Sequence, residues 1–200
     1  MKRLVRRVAP LLVAAALVGG CATQGENAVS EDGGFTFVSP GGQTRLFYPP
    51  EERGKLSDLS GESLMEPGKK IHLEDFKDQP VVLNLWGSWC PPCRSESDDI
   101  QAVQDKTAAQ GVQVLGIDVR DDREAAADFH RDRNLTYPSI YDPSGRSLLA
   151  LRGFPRSTTP ATIVLDRQHR VAAIYMTQIL ESELLPEVQK IASEPPPAPK

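Results

Sequence analysis

Two hundred residues give room for one domain plus appendages, because a core of about 100–150 residues is the usual unit. At 40% hydrophobic and 25% charged, the composition is that of a soluble globular protein. A formal net charge of −4, with no basic stripe in the body of the chain, argues against nucleic-acid binding.

Positive charge collects instead at the start, in Met1-Lys2-Arg3-Leu4-Val5-Arg6-Arg7, ahead of an apolar run over residues 8–18 broken only by Pro10. That run is too short to span a bilayer, which takes roughly 20 apolar residues. A basic start, a short apolar stretch and small residues behind it predict an export signal over residues 1–20. The segment Leu17-Val18-Gly19-Gly20-Cys21 resembles the bacterial lipobox. The resemblance implies that the Cys21 thiol receives a diacylglyceryl group and that cleavage leaves Cys21 at the new N-terminus. Two or three acyl chains anchor stably to a membrane where one alone is marginal. The alternative is an ordinary secretory signal with a cysteine beside its cleavage site.

Residues 21–44 are expected to be the lipidated start and a flexible spacer, polar and small over 22–34. Within them, Phe35-Thr36-Phe37-Val38 suggests a short strand turned by Pro40-Gly41-Gly42, and residues 43–48 suggest another, ended by Pro49-Pro50. Residues 45–193 are expected to form the globular domain. Leu59-Ser60-Gly61-Glu62 and Lys70-Ile71-His72-Leu73 suggest a hairpin. Val81-Val82-Leu83-Asn84-Leu85-Trp86 reads as a fully buried strand, being a nearly unbroken apolar run rich in β-branched residues. A helix is expected over residues 94–109, closed by Gly111, and a second buried strand over 112–119. Residues 121–133 contain Glu124-Ala125-Ala126-Ala127, a strong helix former. A turn at Asp142-Pro143-Ser144-Gly145 leads to a short helix over 146–151. Strands over 162–165 and 171–175 are joined through residues 166–170. A final helix over 181–192 repeats Leu184, Leu185, Val188 and Ile191 at helical spacing. The proline-rich residues 194–200 cannot continue it and predict an extended, disordered tail. The order β, α, β, α, paired strands, helix is an α/β fold with a mixed sheet.

The chain has three cysteines. With Cys21 lipidated, the two left are those of Cys90-Pro91-Pro92-Cys93. A bridge across so few residues constrains little of the unfolded chain, so redox turnover is a better reason for the pair than stabilisation. Cys90 lies just past a buried strand at the start of a helix. Backbone N–H groups there point at the sulfur and the helix dipole favours the thiolate, which is the reactive species. Cys93 stands three residues later on the same helical face, within reach of a mixed disulfide. Pro91 suits the first helical turn.

The segment Trp86-Gly87-Ser88-Trp89-Cys90-Pro91-Pro92-Cys93-Arg94-Ser95-Glu96 resembles the active site of the thioredoxin superfamily. More narrowly, it is similar to the TlpA/ResA/DsbE branch of extracytoplasmic thiol–disulfide oxidoreductases, over roughly residues 59–192. The resemblance implies a thioredoxin fold with Cys90 attacking and Cys93 resolving. It also implies a cis-proline opposite the cysteines, preceded by a residue whose backbone pairs with the substrate. Pro160, with Thr159 before it, matches that place, while Pro155 stands at the wrong spacing to the following strand. Trp89 borders the attacking sulfur, where a substrate would meet it. Cytoplasmic thioredoxins carry a buried aspartate six residues before the first cysteine, and here that position is Asn84. The branch has an acid just after the cysteines instead. Glu96 fits it, as acceptor of the Cys93 proton; from the residues alone, Glu96 reads as a solvated first-turn carboxylate.

A structural zinc site takes four ligands. His72, His130 and His169 are scattered without ligand spacing and are expected at the surface, so no metal or cofactor is expected. A single-cysteine peroxidase arrangement is also absent. Three functional readings remain. The first is a reductase of exported proteins, which the branch implies acts on the Cys-x-x-Cys-His site of apocytochrome c. Its electrons would come from a CcdA-type membrane partner, beside which Cys21 holds the domain. The second is an oxidase forming disulfides in secreted proteins, since direction depends on the potentials of the partners. The third is a non-catalytic metallochaperone lipoprotein.

Overall fold

The computed structural model describes residues 29, 30 and 32–195. The export signal, Cys21 with its lipobox, and residues 196–200 of the expected tail lie outside the described residues.

The elements in chain order are β1 (Arg45–Phe47), β2 (Ser60–Ser63), β3 (Lys70–His72), β4 (Val81–Trp86), α1 (Pro91–Thr107), β5 (Gln113–Val119), α2 (Arg123–Asp132), β6 (Ser139–Asp142), β7 (Ala161–Leu165), β8 (Val171–Tyr175) and α3 (Glu181–Ala192). The strands form one eight-stranded mixed sheet in the order β1-β8-β7-β4-β5-β6-β2-β3. β4 pairs parallel with β5 and antiparallel with β7, and β5 pairs parallel with β6. β4 sits in the middle of this order and all six of its residues are buried, which is why it is apolar on both faces.

Alternation along the strands divides the core. Leu83 and Leu85 of β4 join Leu115, Ile117 and Ile163 on one face, covered by Leu56, Leu59, Leu73 and Leu148 from loops and short turns. Val82 and its neighbours Val114 and Val164 face Ile100 and Val103 of α1 and Leu184, Val188 and Ile191 of α3. Trp86 continues that second face toward α2, packing with Ala126, Ala127 and both cysteines of the Cys-Pro-Pro-Cys loop. Each fully buried side chain of this size contributes about 1.5–3 kcal/mol, so the two cores dominate the stability.

Several expectations are corrected. α1 begins at Pro91 rather than Arg94, because proline fits the first turn, where its missing N–H has no helical partner. α1 ends at Thr107 and tightens into one 3-10 turn, after which Gly111 takes the left-handed conformation with φ 77°. Residues 35–38 form no strand of the sheet, yet Phe35 is buried against Tyr48 and its N–H donates to the Lys55 carbonyl. Phe37 stacks edge-on against Phe154, so the chain from Phe35 onward packs on the domain and is not spacer. β6 had no sequence signal beyond Ile140-Tyr141. Four residues become a strand there because β5 and β2 offer it an edge on both sides. His130 and His169 are buried, not superficial, with ring nitrogens against the carbonyls of Tyr137 and Phe76.

The tail boundary also moves. Glu194 takes a two-pronged pair of hydrogen bonds from Arg53, at 2.6 and 2.7 Å. The Arg53 guanidinium, itself buried, reaches Asp166 at 3.3 Å and the Tyr48 carbonyl at 3.0 Å. This cluster ties the N-terminal segment to the β7–β8 turn and to the end of α3. Removing one partner of a buried pair leaves an uncompensated charge. Arg53→Ala is therefore expected to cost about 3 kcal/mol in urea unfolding; a loss under about 1 kcal/mol would mean that the cluster contributes little.

Candidate active site

β4 ends at Trp86, and the next four residues turn its direction into that of α1. Gly87 is required by space: a Cβ there would lie 2.4 Å from Trp89 Nε1. The Cys90 N–H donates to the Gly87 carbonyl at 3.1 Å, closing the turn. Cys90 then caps α1 with its own sulfur, which accepts a hydrogen bond from the Cys93 N–H at 3.3 Å. Cys90 and Cys93 are joined by a disulfide with Cα atoms 5.3 Å apart, and both are 2% exposed. Pro91 and Pro92 carry no amide hydrogen, so the Cys93 amide is the donor that reaches the sulfur.

Trp89 is the exposed neighbour of this disulfide, at 46%. Its indole N–H donates to the Val119 carbonyl at 3.0 Å, and the Arg120 guanidinium lies over its ring, 4.8 Å from the centroid. The same guanidinium donates to Thr159 Oγ1 at 2.9 Å and to the Ser157 carbonyl at 3.3 Å. The Thr159–Pro160 peptide bond is cis. Arg120 thus bridges Trp89, beside Cys90, to the loop that holds Thr159 and Pro160. Asp121 accepts from both the backbone N–H and the hydroxyl of Ser88, the latter at 3.0 Å. The 118–121 turn at the carboxyl end of β5 therefore supports both sides of the disulfide.

Glu96 lies on α1, one turn beyond Cys93, and is 1% exposed. It is not a solvated first-turn carboxylate. Asn84 Nδ2 donates to Glu96 Oε1 at 2.9 Å and to Thr162 Oγ1 at 3.3 Å. The Ile179 N–H donates to Glu96 Oε2 at 3.0 Å. Burial pushes the Glu96 pKa up to about 7, against the opposing effect of those two donors. Asn84, which cannot take a proton itself, thus orients an acid that arrives from the helix.

Arg120, Asp121 and Ser88 were not singled out in the sequence. A cluster of charged residues just past a buried strand was the available signal, because open α/β sheets place their sites beyond the carboxyl ends of strands. A groove of about 960 Å³ runs elsewhere, lined by Ile71, Tyr137 and Ser139 among others, and contains neither cysteine. With no redox group on its walls, it is not where the disulfide chemistry occurs. Among the described residues, no group of three or more His, Cys, Asp or Glu side chains is placed to hold a metal ion.

Comparison with known proteins agrees with this geometry. The profile of the AhpC/TSA family matches residues 55–174. The chain belongs to that family. It is 30% identical over 138 residues to the thiol:disulfide interchange protein DsbE of Pseudomonas aeruginosa, covering 66% of this chain and 73% of that protein. It is 31% identical over 104 residues to the thiol-disulfide oxidoreductase ResA of Bacillus thuringiensis, covering 52% and 58%. Among solved structures, a secreted thiol-disulfide isomerase from Corynebacterium glutamicum superposes with a TM-score of 0.78 at 47% identity, over 80% of this chain and 98% of that one. A DsbF homologue from Corynebacterium diphtheriae gives 0.75 at 45%, over 79% and 99%. The sheet and helices are those of a thioredoxin-like fold, and this AhpC/TSA member is a thiol–disulfide oxidoreductase of the DsbE and ResA type.

Two predictions follow from the site. Glu96 holds its proton in the native state up to about pH 7, whereas the unfolded chain releases it near 4.5. Its contribution to stability is full below the unfolded value and is lost as pH rises through the native one. Glu96→Gln should therefore flatten the fall in stability between pH 5 and 7, measured by urea unfolding of the oxidised protein; an unchanged slope would contradict the raised pKa. Separately, Arg120→Ala removes a cation–π contact and a hydrogen bond, which together predict a rise in KM of roughly threefold to tenfold with kcat little changed. A KM equal to that of the parent enzyme would mean that the bridge plays no part in binding.

Proposed function

We propose that this oxidoreductase is held at the extracytoplasmic face of the membrane by a lipidated Cys21 and reduces disulfides in exported proteins, the Cys-x-x-Cys-His site of apocytochrome c among them. The observation that carries the reading is a buried acid with a near-neutral pKa, Glu96, one helical turn behind Cys93. In the reduced enzyme, the Cys90 thiolate attacks one sulfur of the substrate disulfide and expels the other as a thiolate. Cys93 then passes its proton toward Glu96 and attacks the Cys90 sulfur of the mixed disulfide. The second substrate sulfur leaves as a thiolate, two electrons have passed to the substrate, and the enzyme is left as the Cys90–Cys93 disulfide. A CcdA-type membrane dithiol returns the electrons. Trp89, Thr159 and Pro160 line the approach, with the Thr159 backbone pairing with the substrate chain.

The reducing direction has a physical basis in the loop. Oxidants such as DsbA owe their potential to a strongly stabilised thiolate. Two prolines between the cysteines leave few amides to stabilise the Cys90 thiolate, which favours the disulfide and makes the dithiol a better reductant. Disulfide formation or isomerisation in secreted proteins is the second reading, favoured by the 47% identity to a secreted thiol-disulfide isomerase. A measured potential separates the two: at or below about −200 mV supports the reductase, near −120 mV the oxidase.

Cys90→Ser is expected to abolish insulin reduction, and Cys93→Ser to trap a mixed disulfide visible on non-reducing gels. Glu96→Gln should slow turnover and remove the step near pH 7 from the rate profile. Normal turnover by Cys93→Ser would end the resolving role. Labelling with a palmitate analogue, lost in Cys21→Ser, tests the anchor independently of the redox chemistry.

A further inference from the structure

Asp118 is the most anomalous side chain in the fold. It lies on β5 beside Trp86 of β4 and Tyr141 of β6, and it is fully buried, at 0% exposure. Neither carboxyl oxygen meets a donor. The polar groups on the two adjacent strands, Trp86 Nε1 and Ser139 Oγ, both lie over Gly116, where an added Cβ would sit 2.8 and 2.2 Å away, and neither has a hydrogen-bond partner among the described residues. An unpaired buried carboxylate is among the most costly groups a core can hold.

The charged groups that face Asp118 come from three directions. Asp121 follows it in the turn, Arg123 opens α2, and Asp142 ends β6. Arg123 donates to the carbonyls of Ser63 and Leu64, pairs with Glu62 at 3.1 Å and stacks on Tyr141, and no hydrogen bond joins it to Asp118. Asp121, three residues on, is the side chain whose hydrogen bonding raises the Asp118 pKa, and it is another acceptor. Two carboxyl groups in contact share a proton, since both cannot be ionised there. Asp121 already accepts from Ser88 and from the Asp122 N–H, so Asp118 is the partner left to carry the proton.

We propose that Asp118 is a carboxylic acid whose O–H donates to Asp121, and that this bond positions the turn that holds Ser88, Trp89 and Thr159 around the disulfide. Asp118 is a positioning residue: it acts through Asp121 on Ser88, two residues ahead of Cys90. Val119, the next residue, accepts from Trp89, and Arg120 holds Trp89 and Thr159. Burial, reinforced by the charge of Asp121, pushes the Asp118 pKa up to about 8. Ionisation places two negative charges side by side and removes the donor, so the turn loosens on the alkaline side.

The test uses the whole exported domain. The carboxyl carbon of Asp118, followed by NMR from pH 5 to 10, is expected to titrate above pH 7. KM for insulin disulfides should rise about fivefold in the parent enzyme between pH 7 and 9, the size of one ordinary hydrogen bond, with kcat following the thiols. Asp118→Asn keeps a donor and should hold the low KM across that range. Asp118→Ala loses the donor and should show the raised KM already at pH 7, with folding checked by its melting transition. Glu96→Gln, whose step lies near pH 7, should keep the alkaline rise. A carboxyl carbon already ionised at pH 6, or the parent rise persisting in Asp118→Asn, overturns the proposal.

Discussion

The structure depends on how a fully buried strand hands its chain to a helix. β4 is packed on both faces and cannot shift without exposing core side chains, so its end is a fixed point. Four residues after it, Gly87 having allowed Trp89 to fold back, the chain delivers Cys90 to the start of α1, where the Cys93 amide meets its sulfur. The sulfur caps the helix, and the second sulfur sits one turn on. Reactivity follows from position: a cysteine here is held close to its partner and to a partial positive charge worth about 0.3–1 kcal/mol, with 2% of its surface exposed.

Behind the disulfide lie two buried acids, Glu96 of α1 and Asp118 of β5, and they are managed differently. Burial lifts the Glu96 pKa to about 7, where a proton can be exchanged, and its two donors, Asn84 and the Ile179 amide, oppose the rise and make its anion tolerable. Asp118 has no donor and two acidic neighbours, so it is held further toward the neutral form. One arrangement suits a group that trades protons, the other a group that donates a hydrogen bond. The strand position where cytoplasmic thioredoxins carry an acid is here an amide, and the proton-binding group comes from α1 instead.

The outer wall of the site is built by a turn, not by the cysteine loop. Arg120 adopts a left-handed φ of 56°, which a residue with a side chain rarely takes, and from there reaches Trp89 and Thr159 together. Asp121 fastens Ser88 from the other side. Ser88, Trp89 and Thr159 are thus joined through three consecutive residues, Val119, Arg120 and Asp121, at the end of β5.

Much of this was readable from residue order alone. The continuous apolar runs of β4 and β5, the heptad-like repeat of α3 and the Trp-Cys-Pro-Pro-Cys motif are local signals, because burial on both faces, helical spacing and cap chemistry each act within a few neighbouring residues. The sequence by itself determined the mixed α/β architecture, the redox pair at a helix start and a proline at 160 ahead of a strand. It did not determine which acids are buried: Glu96 looks like an ordinary charged residue until Asn84 and Ile179 arrive from 12 and 83 positions away, and Asp118 until β4 and β6 close over it. β6, the anchoring of Glu194 by Arg53 and the bridge made by Arg120 were likewise decided only in three dimensions. The physical reason is the same in each case. Desolvation and hydrogen-bond partnership are properties of what packs around a group, and those neighbours are brought together by the fold rather than by adjacency along the chain.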